Sequence, residues 1–277
     1  MTNEKNYPLV SIIMNCHNGE KFLEQSLQSI LKQSYQNWEL IFWDNVSSDS
    51  SSKIIKRHKD LRIKYYLSEK FEKLYKARNS ALEKTKGDYI CFLDTDDIWD
   101  QDFIKSHVKK ILELNCDVVY SKYLILNDFK KKTYLNESDE IPSGMITINL
   151  LKSYFIGINA ILLNKTIFEK FKFNPKYEII GDFDFFLRLS LSKQFFPIQE
   201  ALLTYRHHSK NFTNTNIDIY IKELKEWIRE NQQLFKKSQI FLSFSLLTSV
   251  HCIIFIKIFN LRDFKYFKQL PSKKTSF

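Results

Sequence analysis

The first hundred residues alternate between short apolar runs and segments whose apolar positions recur at helical spacing. The apolar runs, too short for helices and typical of buried strands, lie at residues 9–14, 39–43, 63–67 and 89–93. The segments with helical spacing lie at residues 20–33, 51–58 and 73–85. Strands that alternate with helices predict a parallel sheet with helices on both faces. Ligands bind beyond the carboxyl ends of such strands, so the polar segments after the first, second and fourth runs are the candidate site.

The remainder of the chain predicts further elements of both kinds. We expect helices at residues 101–115 and 183–191, strands at 117–126, 156–164 and 198–205, and a polar, charged loop at 130–142. The composition changes near Lys236, where a basic and apolar tail begins. The expected organisation is therefore one α/β domain over residues 1–235, followed by a helical tail over residues 236–277.

The scarcity of glycine and the spacing of cysteine exclude several kinds of site. The 277 residues suffice for one large α/β domain or a domain with an appendage, but they include only five glycines. No glycine-rich phosphate loop occurs, so other groups would have to bind a nucleotide. The four cysteines show no C-x-x-C spacing, which argues against a zinc site or a disulfide framework and favours a reducing cytoplasm. No signal peptide is expected, because an acidic residue and Pro8 interrupt any N-terminal apolar run.

The position of the positive charge favours a membrane surface over nucleic acid as a partner. Residues 236–277 hold eight Lys or Arg and one acid, Asp263, and so carry +7 of the formal net charge of +10. The same tail is rich in Phe, Ile and Leu, a combination typical of segments that contact anionic lipid. Residues 238–256 contain no Lys, Arg, Asp or Glu and reach the length of a spanning helix, but they include Ser, Thr and His. A helix in the membrane interface is favoured; a spanning helix and a helix packed on protein are the alternatives.

Three carboxylates follow the fourth apolar run directly, in the sequence F-L-D-T-D-D at residues 92–97. Carboxylates this close repel one another and are costly unless something positive binds them. A divalent cation that bridges a diphosphate would neutralise them, because Mn²⁺ and Mg²⁺ prefer carboxylate and phosphate oxygens. The alternative is a cluster that caps the next helix, with Asp97 or Asp100 as the cap.

Amide, carboxylate and imidazole groups follow the first two apolar runs. Asn15 and His17 end the first run, and Asp44 and Asn45 end the second. Such groups can bond to a nucleobase edge or a ribose, although for His17 a structural role stays open. Residues 47–49 favour a turn with a Ser or Asp helix cap.

Together these segments resemble family 2 glycosyltransferases of the GT-A fold. The motifs V-S-I-I-x-N-x-H-N, W-D-N-x-S-S-D, A-R-N and F-L-D-T-D-D occur in the order found in that family, and the resemblance covers roughly residues 8–210. It implies a Rossmann-like, mostly parallel sheet flanked by helices. A nucleotide-binding half would cover about residues 8–100 and an acceptor half about residues 101–210.

The resemblance assigns nucleotide-sugar contacts to the first half. Asn15 and His17 match positions near the nucleobase, where the family more often has Tyr than His. Asp44 and Asn45 match the acidic pair that reads the base, with Asn in place of the second acid. Arg78 matches the family's Arg near the diphosphate.

The resemblance also implies a metal site. Asp94 and Asp96 match the family's metal motif, with Asp96 as the more direct ligand and Asp94 nearer the ribose; Thr95 lies between them and is assigned to the donor site. The segment Y-R-H-H at residues 205–208 resembles a Y-R-x-H segment whose His can reach the metal or the diphosphate. His208 fits that spacing better than His207.

The catalytic base is implied by the segment G-D-F-D-F-F-L-R-L at residues 181–189, which resembles the family's E-D-Y-D-x-x-L-R-L. The second acid of that segment is the base in the family, which places it at Asp182. Gly181 stands where the family has Glu. A helix N-cap is the simple alternative for Asp182.

The implied activity is that of an inverting hexosyl- or N-acetylhexosaminyltransferase. It would move a sugar from a nucleotide-sugar, with UDP as the first candidate carrier, to a saccharide or lipid-linked saccharide in cell-surface polysaccharide synthesis. Mn²⁺ or Mg²⁺ is the implied cofactor, and the expected location is the cytoplasm, peripherally on the inner face of the cytoplasmic membrane. One alternative is a non-catalytic, membrane-associated scaffold, which the departures at Asn45 and Gly181 support. The other, a nucleotidyltransferase, would need the glycine-rich loop that the chain lacks.

Overall fold

The computed structural model describes residues 7–137 and 139–237. The strands within these ranges are β1 Val10–Cys16, β2 Trp38–Asp44, β3 Ile63–Leu67, β4 Tyr89–Phe92, β5 Ile98–Trp99, β6 Val118–Asn127, β7 Lys132–Leu135, β8 Ile161–Asn164 and β9 Phe196–His207. The α-helices are α1 Glu20–Leu31, α2 Ser51–Arg57, α3 Leu74–Leu82, α4 Phe103–Leu114, α5 Thr147–Lys152, α6 Ile167–Lys170, α7 Gly181–Ser190, α8 Phe212–Thr215 and α9 Ile217–Lys237. These elements confirm the predicted α/β class.

All the strands join one sheet, in the order β3-β2-β1-β4-β8-β6-β9-β5, with β7 paired to β6. The first four strands of that order are parallel, as predicted. The sheet as a whole is mixed, but six of its nine strands, β1 to β4, β6 and β9, run in the same direction, which agrees with the prediction of a mostly parallel sheet. β8 lies between β4 and β6 and runs opposite to both, and β5 and β7 are also antiparallel to their neighbours. A strand in the reverse direction needs no helical crossover, so it leaves no βαβ signal in the sequence.

Two apolar layers cover the sheet, one on each face. Val10, Ile12 and Met14 of β1 point into one layer, and Ile13 points into the other. Strands buried on both faces are apolar at successive positions rather than at every second one. This burial explains why β1, β2 and β4 were recognisable as short, nearly continuous apolar runs.

Several segments differ from the sequence prediction. The predicted loop at residues 130–142 contains β7, whose four residues are all exposed and include no apolar run of the kind that marks a buried strand. The predicted strand at 156–164 begins only at Ile161, because Ile158–Ala160 forms a 3-10 turn. Helix α9 was not predicted; it continues past residue 235 and packs Leu224 and Trp227 into the core. The prediction for residues 238–256 lies outside the described residues. No helix in the described part of the chain has the length and apolar character required to cross a membrane.

Candidate active site

Strands β1, β2 and β4 end at one edge of the sheet, as their parallel register requires. Cys16 lies opposite Asp44 where β1 and β2 end, and Ile13 lies opposite Phe92 at the end of β4. The loop after β1 also contacts the loop after β4, since a Cβ atom at Gly19 would lie 2.8 Å from Oγ1 of Thr95. The structure therefore brings together the three polar segments that the sequence singled out.

A buried arginine holds the first carboxylate of the acidic segment. The Nη2 atom of Arg78 lies 2.9 Å from Oδ1 of Asp94. Arg78 is 2% exposed, and its guanidinium lies 5.3 Å from the ring centre of Tyr75 and 5.9 Å from that of Phe92. Asn159 completes the contacts, donating to Oδ2 of Asp94 at 3.1 Å and accepting from its backbone N–H at 3.2 Å. A fixed positive charge is thus presented beside a partly exposed carboxylate.

The second carboxylate faces a histidine from the far end of the chain. Nε2 of His208 lies 3.0 Å from Oδ2 of Asp96. Burial and the neighbouring Asp94 raise the pKa of Asp96, while His208 acts in the opposite direction. His207 points elsewhere and contacts the side chains of Asn127 and Asn214. Of the two adjacent histidines, the one that the sequence favoured is therefore the one that faces the acidic segment.

The third carboxylate is structural. Asp97 is 0% exposed, accepts from the backbone N–H of Arg206 at 2.9 Å, and accepts from the amide of Asn159. Burial, with Asp96 and Asp94 nearby, raises its pKa well above the ordinary range. Asp100 accepts from the backbone N–H of Asp102 at 2.9 Å, just before the next helix begins at Phe103. The capping alternative therefore holds for Asp100 but not for Asp97, which bonds to Arg206 and Asn159 instead.

The donor atoms at this edge suit a divalent cation only together with a substrate. Among the described residues, no group of three or more His, Cys, Asp and Glu is arranged to hold a metal ion. Asp96 and His208 supply a carboxylate oxygen and an imidazole nitrogen, and Asp94 adds further negative charge that Arg78 only partly offsets. Mg²⁺ and similar ions are commonly held by one or two carboxylates plus phosphate oxygens. The residues present fit a site of that kind.

The two side chains expected to read a base are bonded within the protein. Asp44 is 1% exposed, and its oxygens accept from the backbone N–H of Ser47 at 2.8 Å and the hydroxyl of Tyr65 at 2.7 Å. The amide of Asn45 donates to the carbonyl of Glu72 at 2.7 Å and accepts from its N–H at 3.0 Å. Both residues thereby fix the loops around the sheet edge, and their part in reading a base stays a prediction.

The exposed groups at the same edge are a histidine and an aromatic ring. His17 bonds through Nδ1 to the carbonyl of Asn45 at 2.9 Å, and its ring centre lies 4.8 Å from that of Phe71, which is 60% exposed. Both amide atoms of Asn15 are buried and have no hydrogen-bond partner among the described residues. The indole nitrogen of Trp43, on the adjacent strand, is also buried and without a partner there. His17 and Phe71 form an exposed surface on which a planar base could rest, whereas the amide of Asn15 is buried near the end of β1.

The turn after β2 confirms the interpretation of residues 47–49 as structural. Asp49 accepts from the backbone N–H of Glu20 at 2.9 Å and from that of Ser51 at 2.9 Å. It therefore satisfies donors in the first turns of α1 and α2, which the helices themselves leave unpaired.

Asp182 lies in the first turn of α7. Ile180 occupies the N-cap position, so the capping alternative for Asp182 is wrong. Its Oδ1 accepts from the N–H of Phe183 at 2.8 Å and lies 3.1 Å from the hydroxyl of Tyr75. Burial raises the pKa of Asp182, and the charge of Arg78 opposes that rise. A carboxylate with a raised pKa and a partly exposed side chain is suited to accept a proton.

Sequence reasoning missed four residues that complete the site. They are Phe71, Tyr75, Asn159 and Arg206. Arg206 lay within the recognised Y-R-H-H segment, and Tyr75 precedes Arg78 by one helical turn, so both carried a usable signal. Asn159 and Phe71 carried none, because nothing in their local sequence indicates that they approach this edge.

Comparison with known proteins gives a family match and several similar bacterial proteins. The family model described as glycosyl transferase family 2 matches residues 11–175, more than half of the chain. The chain is 34% identical over 185 residues to the Escherichia coli UDP-Glc:α-D-GlcNAc-diphosphoundecaprenol β-1,3-glucosyltransferase WfgD, covering 67% of this chain and 70% of that protein. It is 29% identical over 229 residues to the E. coli enzyme of the same description, WfaP, covering 82% and 85%.

Solved structures share the fold at low sequence identity. TarS 1–349 of S. aureus in complex with UDP-GlcNAc aligns with a TM-score of 0.61 at 18% identity, covering 79% of this chain and 66% of that one. The mannosyltransferase PcManGT from Pyrobaculum calidifontis, in complex with GDP-Man and Mn²⁺, aligns with a TM-score of 0.62 at 14% identity, covering 92% and 76%. With the family match and the relative at 34% identity, the chain belongs to glycosyl transferase family 2.

Proposed function

We propose that this chain transfers a hexose or N-acetylhexosamine from a UDP-sugar to a lipid-linked saccharide, with inversion and with Asp182 as the base. The observation that carries the proposal is the position of Arg78, which bonds Asp94 and also acts electrostatically on Asp182. The buried guanidinium of Arg78 thereby connects the proposed donor site with the proposed base. The names of WfgD and WfaP support UDP-glucose as donor and a saccharide diphospholipid as acceptor.

The donor would lie across the carboxyl edge of β1, β2 and β4. His17 and Phe71 offer an exposed aromatic surface to the base, and the buried, unpartnered amide of Asn15 would have to turn outward to bond to it. Arg78 would stabilise the negative charge that grows on the diphosphate as the sugar departs. A charge fixed before the reaction begins costs no reorganisation in the transition state, so such groups supply a large part of catalysis.

Asp96 and His208 would hold the divalent cation, with Asp94 contributing charge next to them. A cation bound there supplies further neutralisation of the departing diphosphate. Until donor and cation bind, Asp96 and His208 hold each other in place. Asn211 lies 3.4 Å from the same oxygen of Asp96 and helps to orient it.

Asp182 would take the proton from the acceptor hydroxyl while that oxygen attacks the anomeric carbon. The new carbon–oxygen bond forms as the bond to the UDP oxygen breaks, the electron pair leaves with UDP, and the proton stays on Asp182. Because one displacement inverts the anomeric carbon, an α-linked donor gives a β-linked product. A protein that acts on a lipid-linked acceptor would work at the inner face of the cytoplasmic membrane, which the basic, apolar composition of residues 236–277 supports.

The decisive experiment combines Asp182→Asn with a binding measurement. UDP release is followed with UDP-glucose or UDP-GlcNAc and a synthetic GlcNAc-diphospholipid acceptor, and UDP binding is measured by calorimetry with and without Mn²⁺. We expect the substitution to lower kcat by about 10²- to 10⁴-fold, the range for removal of a general base, and to leave UDP binding intact. Glu178→Gln, which removes a surface acid paired with Lys73 at 2.7 Å, is the control and should keep its activity.

Two outcomes would count against the proposal. An unchanged rate for Asp182→Asn would remove Asp182 from the role of base. Wild-type protein that binds no UDP, with or without Mn²⁺, and releases none would favour the scaffold alternative instead.

A further inference from the structure

The aromatic ring of Tyr75 lies directly against the backbone of Gly181. A Cβ atom at position 181 would lie 2.3–2.5 Å from three carbons of that ring, far closer than atoms approach in proteins. The backbone itself does not require glycine there: among the described glycines only Gly144 has a positive φ. The neighbouring ring, rather than the local conformation, therefore excludes a side chain at position 181.

The ring of Tyr75 cannot move aside easily. Tyr75 is 2% exposed, its ring centre lies 5.7 Å from that of Phe173, and the guanidinium of Arg78 lies 5.3 Å away. Displacing the ring would disturb either the core or the arginine that bonds Asp94. In close packing of this kind, a single added methyl group displaces the side chains around it.

The hydroxyl of Tyr75 reaches past Gly181 to groups on both sides of it. It lies 2.7 Å from the carbonyl oxygen of Ile179 and 3.1 Å from Oδ1 of Asp182. A hydroxyl has one proton to donate and lone pairs that accept. When Asp182 is ionised, Tyr75 can donate to it. When Asp182 is protonated, Asp182 can donate to Tyr75, whose own proton then turns to Ile179.

From these contacts we infer that Tyr75 is a positioning residue for Asp182, and that position 181 is glycine so that the Tyr75 ring can reach it. The inference rests on the proposed role of Asp182. A base must be ionised before the reaction and protonated after it, and one hydroxyl serves both forms here. Glycine in place of the family's Glu at position 181 would then be the change that makes room for the Tyr75 ring beside Asp182.

Several groups face Asp182, and their effects set the expected direction of a pH change. They are Tyr75 and Arg78 from α3, Tyr123 from β6, Tyr154 from the segment after α5, and Tyr220 from α9. Burial raises the pKa of Asp182, whereas Arg78 and the bonds from Phe183, Tyr75 and Tyr154 lower it. Burial and Asp182 raise the pKa of Tyr75 well above its ordinary value, so its hydroxyl keeps its proton. Removing that hydroxyl should therefore raise the pKa of Asp182 further.

The first test is Tyr75→Phe, which keeps the ring and removes the hydroxyl. We expect kcat to fall about tenfold or more and the acidic limb of the pH–rate profile to move up by about one pH unit, with an unchanged Kd for UDP. Tyr220→Phe is the control: Tyr220 also interacts electrostatically with Asp182, but no hydrogen bond joins the two. The acidic limb of the pH–rate profile of Tyr220→Phe should therefore stay at its wild-type position. A Tyr75→Phe enzyme with the wild-type rate and limb would overturn the positioning role.

The second test uses stability and needs no substrate. Gly181→Ala in the native background should lower Tm, because the added methyl group displaces the ring. In a Tyr75→Ala background the same substitution should be neutral or raise Tm, because the ring is gone and Ala is favoured over Gly in helices. An equal loss of Tm in both backgrounds would overturn the coupling of Gly181 to Tyr75.

The two sets of results separate this inference from the proposed function. If Asp182→Asn keeps the wild-type rate, the proposed base is wrong, and the inferred role of Tyr75 falls with it whatever the stability cycle shows. If Asp182→Asn loses activity while Tyr75→Phe behaves as wild type, the proposed function stands and the inference is wrong.

Discussion

The imidazole Nε2 of His208 lies 3.0 Å from Oδ2 of Asp96, although the two residues are 112 positions apart in the chain. Asp96 follows β4 in the first half of the fold, and His208 follows β9 in the second. The contact therefore ties the proposed donor site to the end of β9, four places along the sheet from β1 on the other side of β4. Because both groups are candidate ligands, their bond and a bound cation would compete for the same lone pairs.

If His208 is a ligand of the cation, His208→Ala should weaken only the UDP binding that depends on Mn²⁺. We expect UDP binding in the presence of Mn²⁺ to weaken about 10- to 100-fold, the range seen when a group that holds or orients a metal ligand is removed. Binding without Mn²⁺ should change little. Calorimetric titration with and without the ion measures both quantities.

The matched control is His58→Ala, because His58 also pairs with a carboxylate, Glu24, at 3.3 Å, but on the surface of α1 and α2. It should bind UDP as the native protein does under both conditions. Equal losses for His208→Ala with and without Mn²⁺ would mean that His208 contacts the nucleotide directly rather than through a cation.

Arg78 should tolerate neither loss of charge nor loss of shape. Arg78→Met leaves Asp94 without its ion pair and should lower the free energy of unfolding by about 1–3 kcal/mol; the full cost of a broken buried pair is larger, but the side chain of Asp94 is 36% exposed. Arg78→Lys keeps the charge but not the planar fork, and should still lower kcat/KM about tenfold or more. Urea unfolding and UDP release measure the two effects.

Lys76→Met is the control on the same helix. Lys76, whose side chain is 52% exposed, pairs with Glu72 at 3.0 Å, and pairs of this kind near the surface contribute about 1 kcal/mol. If Arg78→Met proved no less stable than Lys76→Met, the buried pair would have no net structural role.

The sequence predicted the elements that carry a regular apolar pattern and the edge at which they end. Strands β1, β2 and β4 were recognisable because burial on both faces makes them nearly continuous apolar runs, and the parallel register then placed the polar loops together. β7 was missed because its residues are exposed, and the reversed direction of β8 because an antiparallel strand has the same apolar pattern as a parallel one.

The site was predictable where a motif lies on one loop and not where it is assembled across elements. The sequence identified Asp96 and His208 separately, each from its own segment. It did not find Asn159, which lies in a segment expected to be a strand but turns at a 3-10 turn toward Asp94 and Asp97. The packing of Tyr75 on Gly181 joins residues 106 positions apart in the chain, and no local pattern indicates it.

His107 should make stability depend on pH in the mildly acidic range. It is 0% exposed in α4, and burial lowers its pKa to about 4 from an ordinary value of 6.5. Between those values the unfolded chain binds a proton that the folded protein does not, so stability is present above pH 6.5 and is lost as pH falls. The loss should reach up to about 3 kcal/mol, at 1.36 kcal/mol for each pKa unit.

Urea unfolding of the native protein and His107→Gln between pH 4 and 7 isolates this effect, since carboxylates that titrate in the range are common to both proteins. The difference between the two unfolding free energies should narrow as pH falls. His58→Gln, which alters a histidine with 20% side-chain exposure, should show a smaller change. A difference for His107→Gln that is constant with pH would mean that the fold does not lower the pKa of His107.

Asn159 should be the most sensitive neutral residue of the site, because its amide is shared by two carboxylates. It donates to Asp94 at 3.1 Å and to the buried Asp97, and its own backbone carbonyl accepts from the indole of Trp99 at 2.7 Å. Asn159→Ala leaves Asp97 with one donor fewer and should lower the unfolding free energy by about 1–3 kcal/mol.

Asn159→Asp keeps the size but adds a fourth carboxylate, so it should be less stable than Asn159→Ala in the presence of a chelator. Adding Mn²⁺ and UDP should raise the Tm of Asn159→Asp more than that of Asn159→Ala, because only the former gains charge to neutralise. Asn37→Asp, at an exposed amide that donates to the carbonyl of Tyr7, controls for the added charge. If Asn159→Asp were as stable as the native protein without metal, the acidic segment would carry no excess negative charge, and the case for a cation at Asp96 would lose its electrostatic basis.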